Sequence, residues 1–153
     1  MQPRLFLRGL GPIARSRLPA KLGRPHEAVR GSMVQLWYGN RALHYECWIR
    51  HRLAVIELGL HFEADPLTDL RLLSAFRAKA GRIRKLLGPT VRIEEWDRGW
   101  ARVWEPVPLA TLDEELQRTL GERLGRYIAA LEPILRDELP ADVSWRLEPA
   151  PGS

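Results

Sequence analysis

The chain has 153 residues, of which 45% are hydrophobic and 28% are charged, as in an ordinary single-domain globular protein. Cys47 is the only cysteine, which excludes an intramolecular disulfide and a cysteine-rich metal site and fits a reducing, cytoplasmic environment. No stretch approaches the ~18 apolar residues of a membrane-spanning helix, so we expect no membrane partner.

The first 32 residues account for the formal net charge of +5. They carry seven basic side chains and one acidic side chain, whereas the rest of the chain carries 17 basic and 18 acidic ones. Glycine and proline recur in this segment, which predicts a basic, flexible arm with at most a short helix within residues 12–22. Three interpretations stay open: an arm that contacts nucleic acid, an Arg-rich transit peptide, or a segment upstream of a start at Met33.

Three antiparallel strands are predicted by "MVQLWYGNRALHYECWIRHRLAVIELGLHFE", residues 33–63, in which apolar and polar residues alternate. Two-residue turns at residues 39–40 and 51–52 join the strands, so that Cys47 lies opposite Ile56. One face is then aliphatic and belongs to the core. The other face carries Gln35, Trp37, His44, Glu46, Trp48, Arg50, Val55, Glu57 and His61.

An amphipathic helix is predicted over residues 66–87. Asp65 can cap its N-terminus with Pro66 at the first helical position, and the Gly-Pro pair at 88–89 ends it. Apolar residues recur at spacings of three and four, starting at Leu70, and should face the core.

A second hairpin is predicted by "VRIEEWDRGWARVW", residues 91–104, with a three-residue loop at residues 97–99. This register pairs Trp96 with Trp100, Glu94 with Arg102 and Arg92 with Trp104. A second helix follows, opened by a capping box from Thr111 to Glu114 and continuing to Leu135.

The predicted order of elements is β-β-β-α-β-β-α, to which a short N-terminal helix can be added. The fold class that satisfies one aliphatic sheet face and two apolar helix stripes is α+β, with a five-stranded, mostly antiparallel sheet and the helices packed on one face. We expect residues 1–32 to form the basic arm, residues 33–139 a single α+β domain and residues 140–153 a Pro-rich tail.

Five of the six tryptophans fall on the sheet face opposite the helices, together with arginines. The predicted protein interface consists of Trp37, Trp48, Arg92, Trp96, Trp100, Arg102 and Trp104. These residues can also serve stability alone, through cross-strand and cation–π contacts, or be covered by the arm or the tail. Tryptophan and arginine are enriched at interface hot spots, and one patch serves both subunits of a homodimer. We therefore expect a protein-interaction module that binds a second copy or another protein.

The alternative function is nucleic-acid binding through the arm and the outer side of the 66–87 helix. Its candidate residues are Arg15, Arg17, Arg71, Lys79, Arg82 and Lys85. Such residues neutralise phosphates, although a charged outer stripe on a helix is more often simply solvated.

The sequence contains no GxxxxGK[ST] loop, no HExxH and no GxSxG, so we expect neither enzymatic activity nor a cofactor. His44, Glu57 and His61 are metal-ligating residue types on one sheet face, with Glu46 among them. The predicted register sets His44 opposite Gly59 and therefore does not force a metal site.

Residues 37–135 resemble an uncharacterised bacterial and archaeal domain that is often found beside, or fused to, restriction-type nuclease domains. The similarity lies in the strand hairpins, in "LLSAFRAKAGRIRKLLGP", in the Trp-ended strand "VRIEEW" and in the closing helix. The order of elements also resembles the secretion-chaperone type of fold, which binds protein segments on a sheet. Both resemblances imply a non-enzymatic, partner-binding role, and the family has no catalytic residues to carry over.

Overall fold

The structure is a computed structural model that describes residues 1–139; the predicted Pro-rich tail, residues 140–153, lies outside the described residues. The described elements are, in chain order, α1 (Pro3–Ser16), β1 (His26–Arg30), β2 (Met33–Trp37), β3 (Leu43–Arg50), β4 (Val55–Phe62), α2 (Pro66–Ala78), α3 (Ala80–Leu87), β5 (Arg92–Glu95), β6 (Ala101–Pro108) and α4 (Glu114–Glu138). Short 3₁₀ turns lie at Ala20–Leu22, His51–Leu53 and Asp97–Gly99.

The strands form one antiparallel sheet in the order β1-β2-β3-β4-β6-β5. The prediction of an α+β fold with an antiparallel sheet is confirmed, but within residues 1–139 the sheet has six strands rather than five. The additional strand, β1, pairs with β2 and comes from the segment that was expected to be an arm. The helices and the aliphatic sheet face enclose one core, which leaves the opposite sheet face for the tryptophans.

Helix α1 is part of this core, unlike the flexible arm expected from the sequence. Phe6, Leu7 and Leu10 are fully buried, and the helix packs on α4 and on the β1–β2 edge of the sheet. Gly9 and Gly11 lie where α1 meets a neighbour, and a side chain at Gly11 would collide with the Glu27 carboxylate. Close packing, not flexibility, therefore accounts for these two glycines.

The predicted 66–87 helix is two helices, α2 and α3, with a break at Lys79. Asp65 caps α2 as predicted, since its carboxylate accepts a hydrogen bond from the Thr68 amide at 2.9 Å. Leu70 was placed in the core stripe, and this is wrong because the side chain is 59% exposed. The buried position is taken by Asp69, whose carboxylate accepts the Ala64 amide at 3.0 Å and holds the chain as it enters the helix.

Both turns of the first three strands are longer than predicted, and each register is shifted by two residues. Asn40 builds the first turn, because its side chain accepts the Ala42 amide at 2.8 Å. The second turn ends at Ala54, which takes the left-handed conformation with a φ of 51°, so that Cys47 lies opposite Leu58. A shift of two residues keeps every side chain on its predicted face and changes only its cross-strand neighbour.

The second hairpin has the predicted register, with Glu94 opposite Arg102 and Gly99 in the left-handed region at a φ of 77°. The second predicted helix corresponds to α4, but the capping box at Thr111 is wrong. Asp113 is the N-cap instead and accepts the Leu116 amide at 2.8 Å.

Two buried glutamates connect the sheet to α4. Glu132 accepts the Tyr45 hydroxyl at 3.0 Å and Arg136 at 2.8 Å, and Glu105 accepts the Tyr127 hydroxyl at 2.6 Å. These bonds satisfy charges that would otherwise be costly to bury, and they fix α4 on the aliphatic side of the sheet. Neither α4 nor any other described helix has the length and apolar character that a membrane crossing requires.

Candidate functional site

The sheet face away from the helices, here called the polar face, is made by alternate residues of the strands. All seven residues of the predicted interface lie on it or at its rim: Trp37, Trp48, Arg92, Trp96, Trp100, Arg102 and Trp104. They differ in depth. Trp37 and Trp104 are buried, whereas Trp48, Trp96 and Trp100 are half-buried and form the outer layer.

Arginine side chains stack on the tryptophan rings across this face. The Arg102 guanidinium lies 3.7 Å from the ring centroid of Trp104 and 4.5 Å from that of Trp96. Arg50 stacks in the same way on Trp48 at 4.3 Å. Each contact combines cation–π attraction with burial of the aliphatic stem, so the polar face is a packed layer with arginines built into it.

Glu57 holds two of these arginines in place. It is 4% exposed and accepts hydrogen bonds from Arg102 at 2.5 Å and from Arg50 at 2.9 Å. Glu94 completes the arrangement by accepting the Trp104 indole N–H at 2.7 Å. Because both Glu57 oxygens bind guanidinium groups, the structure assigns this carboxylate to the arginines and not to the histidines with which it was grouped from the sequence.

The histidines meet at the centre of the polar face. The register of β3 and β4 sets His44 directly opposite His61, and their rings stack with centroids 5.3 Å apart and planes 8° from parallel. A glutamate follows two residues after each histidine on the same face, Glu46 on β3 and Glu63 just beyond β4. We call these four residues the His/Glu cluster.

Hydrogen bonds determine which ring nitrogen of His44 faces the cluster. Its Nδ1 lies 2.8 Å from the Arg41 carbonyl oxygen, and since a carbonyl only accepts, Nδ1 carries the hydrogen. Its Nε2 points inward, 3.1 Å from Glu46 Oε1 and 4.0 Å from Glu63 Oε2. Gln35 lies alongside and donates to Glu46 at 3.1 Å.

The other histidine lies between the two carboxylates. His61 Nδ1 is 3.0 Å from Glu63 Oε2, and His61 Nε2 is 3.4 Å from Glu46 Oε2. The Trp96 ring meets the imidazole edge-on at 5.5 Å and covers it. His61 and Glu46 are 1% and 4% exposed, whereas the Glu63 side chain is 21% exposed and connects the cluster to solvent.

Proximity of opposite charges governs the electrostatics of the cluster. Burial on its own would lower the pKa of His44, but the hydrogen bond to Glu46 and the charges of Glu46 and Glu63 outweigh it and raise that pKa. Burial would raise the pKa of Glu46, but the hydrogen bond from His44 and the charge of His61 outweigh it and lower that pKa to about 2. Glu46 is therefore ionised at neutral pH.

The basic residues of the alternative function are spread over the helices. Three of them form ion pairs: Arg15 in α1 with Glu27, Arg17 just after α1 with Glu122, and Lys79 at the α2–α3 break with Glu138. The other three, Arg71, Arg82 and Lys85, are exposed on α2 and α3. The structure thus does not gather the six residues into one basic groove.

Sequence reasoning missed Gln35, Arg41 and Glu63 as parts of the site. The available signal was the repeated His-x-Glu spacing at residues 44–46 and 61–63, which places a carboxylate beside each histidine on one face of a strand. Comparison of the chain with protein-family models, with curated proteins and with solved structures finds no match. Function therefore has to follow from the geometry of the polar face.

Proposed function

We propose that this protein is an interaction module that forms a homodimer through the outer layer of the polar face. The observation that carries the proposal is a set of three half-buried tryptophans, Trp48, Trp96 and Trp100. They lie on the sheet face opposite the one on which the described helices pack. Tryptophan and arginine dominate the binding energy of protein interfaces when they are fully desolvated on association. The arginines are already held by Trp and Glu partners, so little ordering remains to be done on binding.

The charges at the tip of the β5–β6 hairpin favour a second copy as the partner. Glu94, Asp97 and Arg98 have side chains 42%, 65% and 74% exposed, and Arg92 and Glu95 are exposed beside them. A two-fold axis brings the same patch from both subunits together, so arginines of one hairpin can lie against carboxylates of the other. A nucleic acid would meet those same carboxylates, and three of the six basic candidates are already ion-paired. The interaction with protein is therefore the better supported of the two functions.

Light scattering after size-exclusion chromatography over a range of protein concentrations tests the proposal. The unmodified chain should elute with twice its mass of 17.6 kDa. Trp100→Glu should shift it to the monomer, because a buried, unpaired carboxylate in the interface is strongly unfavourable. Leu5→Glu is the matched control, since Leu5 is 60% exposed on α1, on the other side of the sheet.

A monomeric mass for the unmodified chain at every concentration would refute the dimer. Equal behaviour of the two variants would also refute it, provided that circular dichroism shows both to be folded. If the unmodified chain instead binds DNA or RNA with an affinity that falls steeply with salt, the nucleic-acid function replaces the proposed one.

A further inference from the structure

We propose that His44, His61 and Glu63 form a binding site for one divalent transition-metal ion of the zinc type. The inference goes beyond dimer formation and does not depend on it. One ligand atom from each residue can be chosen so that all three lie within 4.8 Å of one another. Two imidazoles and one carboxylate are a donor set that zinc accepts.

Two of the three distances between donor atoms are near those that a metal ion imposes. Ligands at about 2.0–2.1 Å from a tetrahedral ion lie roughly 3.3 Å from one another. Here His61 Nδ1 is 3.0 Å from Glu63 Oε2, and His44 Nε2 is 4.0 Å from the same oxygen. The ligand atoms of the two histidines lie within 4.8 Å of one another, so an imidazole ring and the Glu63 side chain, which is 21% exposed, would both move inward on binding the ion.

The hydrogen bonds around the site are those of a metal-binding histidine. A histidine that binds a metal through one nitrogen almost always donates its other N–H to a carbonyl or a carboxylate. His44 donates from Nδ1 to the Arg41 carbonyl, which leaves Nε2 to bind the ion. His61 has Nε2 beside Glu46 at 3.4 Å, which leaves Nδ1 to bind the ion.

The carboxylates around the two histidines suit a cation. His44 Nε2 lies 3.1 Å from a Glu46 oxygen, and the two nitrogens of His61 lie 3.4 Å and 3.0 Å from oxygens of Glu46 and Glu63. With the ion bound, His44 and His61 are neutral and each donates a single N–H, to Arg41 and Glu46 respectively. Glu46 then keeps two donors, His61 and Gln35, and acts as the outer partner that orients the imidazole.

Three protein ligands leave one coordination position of a tetrahedral ion for water or for an anionic group. The Trp96 indole N–H is buried without a hydrogen-bond partner in the described part of the chain, and its ring contacts His61. This N–H is an unused donor beside the site for whatever occupies that position. The site lies between the central strands β3 and β4, so the ion would also cross-link the start of β3 to the end of β4.

Metal titration of the full chain, purified without a polyhistidine tag and freed of metal with a chelator, tests the site. Zinc should bind with a stoichiometry of one ion per chain by calorimetry. Cobalt should replace it and produce the visible absorption bands of a four-coordinate ion. Imidazole nitrogen NMR gives a readout that needs no variant, because zinc should shift the signals of two of the four histidines and leave the other two unchanged.

Variants with matched controls locate the ion. Glu63→Gln and His61→Gln should each weaken zinc binding at least about 100-fold, since even loss of an outer partner costs 10–100-fold. Glu95→Gln and His51→Gln make the same chemical changes at exposed positions and should leave the affinity unchanged. Circular dichroism establishes that each variant is folded.

Absence of saturable zinc binding by the folded, unmodified chain would overturn the site. So would stoichiometric binding that Glu63→Gln and His61→Gln leave unchanged, or a zinc-induced shift of histidines other than residues 44 and 61. The titration repeated on Trp100→Glu separates the two proposals, because the metal site is complete within one chain and should bind zinc equally well in a monomer.

Discussion

Gly59 gives the sharpest test of how the polar face is packed. It lies on the central strand β4 opposite Trp104 of β6. A Cβ atom at this position would lie 2.5 Å from Trp104 Cβ and 2.6 Å from its Cα, and still closer to the Val103 carbonyl oxygen. Ordinary carbon contacts are about 3.5–4.0 Å, so Gly59→Ala requires β6 to move away by about 1 Å along a fully paired ladder. Overpacking typically costs 1–3 kcal/mol, and because backbone atoms are in the way we expect the upper end, about 3 kcal/mol.

Urea unfolding followed by circular dichroism measures this loss. For a chain of this size, 3 kcal/mol corresponds to a fall in Tm of roughly 6–12 °C. Gly81→Ala is the control, because a Cβ there meets nothing within 4 Å and α3 should gain up to about 1 kcal/mol from the better helix former. A loss below about 1 kcal/mol for Gly59→Ala, or a change of the same sign as in the control, would refute the close approach of β4 and β6.

Three further predictions concern the rest of the fold. Asp65→Ala should lower the free energy of unfolding in urea titrations, because the Thr68 amide loses its cap; an unchanged value would contradict the cap. Removing residues 1–16 should abolish cooperative thermal unfolding, since α1 fills the core, and a truncated chain that melts normally would show that it does not. In metal-free protein, the folded-state pKa of Glu46 is about 2, below its ordinary 4.5, so its contribution to stability is present above pH 4.5 and is lost as the pH falls towards 2. Acid titrations of stability should therefore be flatter for Glu46→Gln, and equal slopes would argue against the bond with His44.

Alternation along the strands was sufficient to predict which residues share a sheet face. Trp37, Trp48 and Trp104 lie on the face that the period of two assigns to them. The same period carries no information on depth, which depends on what neighbouring side chains cover. Trp37 is 1% exposed, and its ring contacts Arg41 from the turn before β3 and His26 from β1, neither of which the sequence placed there.

Strand β1 and the full extent of helix α1 were not predicted, beyond the short helix allowed within residues 12–22, because their signals are tertiary. Glycine within a helix lowers the local propensity, and the advantage appears only when a neighbour occupies the space of the missing side chain. At Gly11 that neighbour is Glu27, which also forms an ion pair with Arg15. The prediction of a basic arm treated the arginines of residues 1–32 as free, whereas Arg15 and Arg17 form ion pairs within the fold.

The register of β3 and β4 decided whether the His/Glu cluster could be recognised. Two-residue turns would set Glu46 opposite Glu57, and like charges directly opposite each other destabilise a sheet. The observed register moves Glu46 opposite Gly59 and Glu57 opposite Trp48, and the same shift brings His44 to His61. The sequence thus contained a signal for the longer turn, because only the longer turn keeps Glu46 and Glu57 from lying opposite each other. A chain in which the register is forced back, by the substitutions His51→Asn and Arg52→Gly that favour a two-residue turn at residues 51–52, should lose both zinc binding and stability, because Arg50 then faces Leu53, the two histidines are separated and the repulsion is restored.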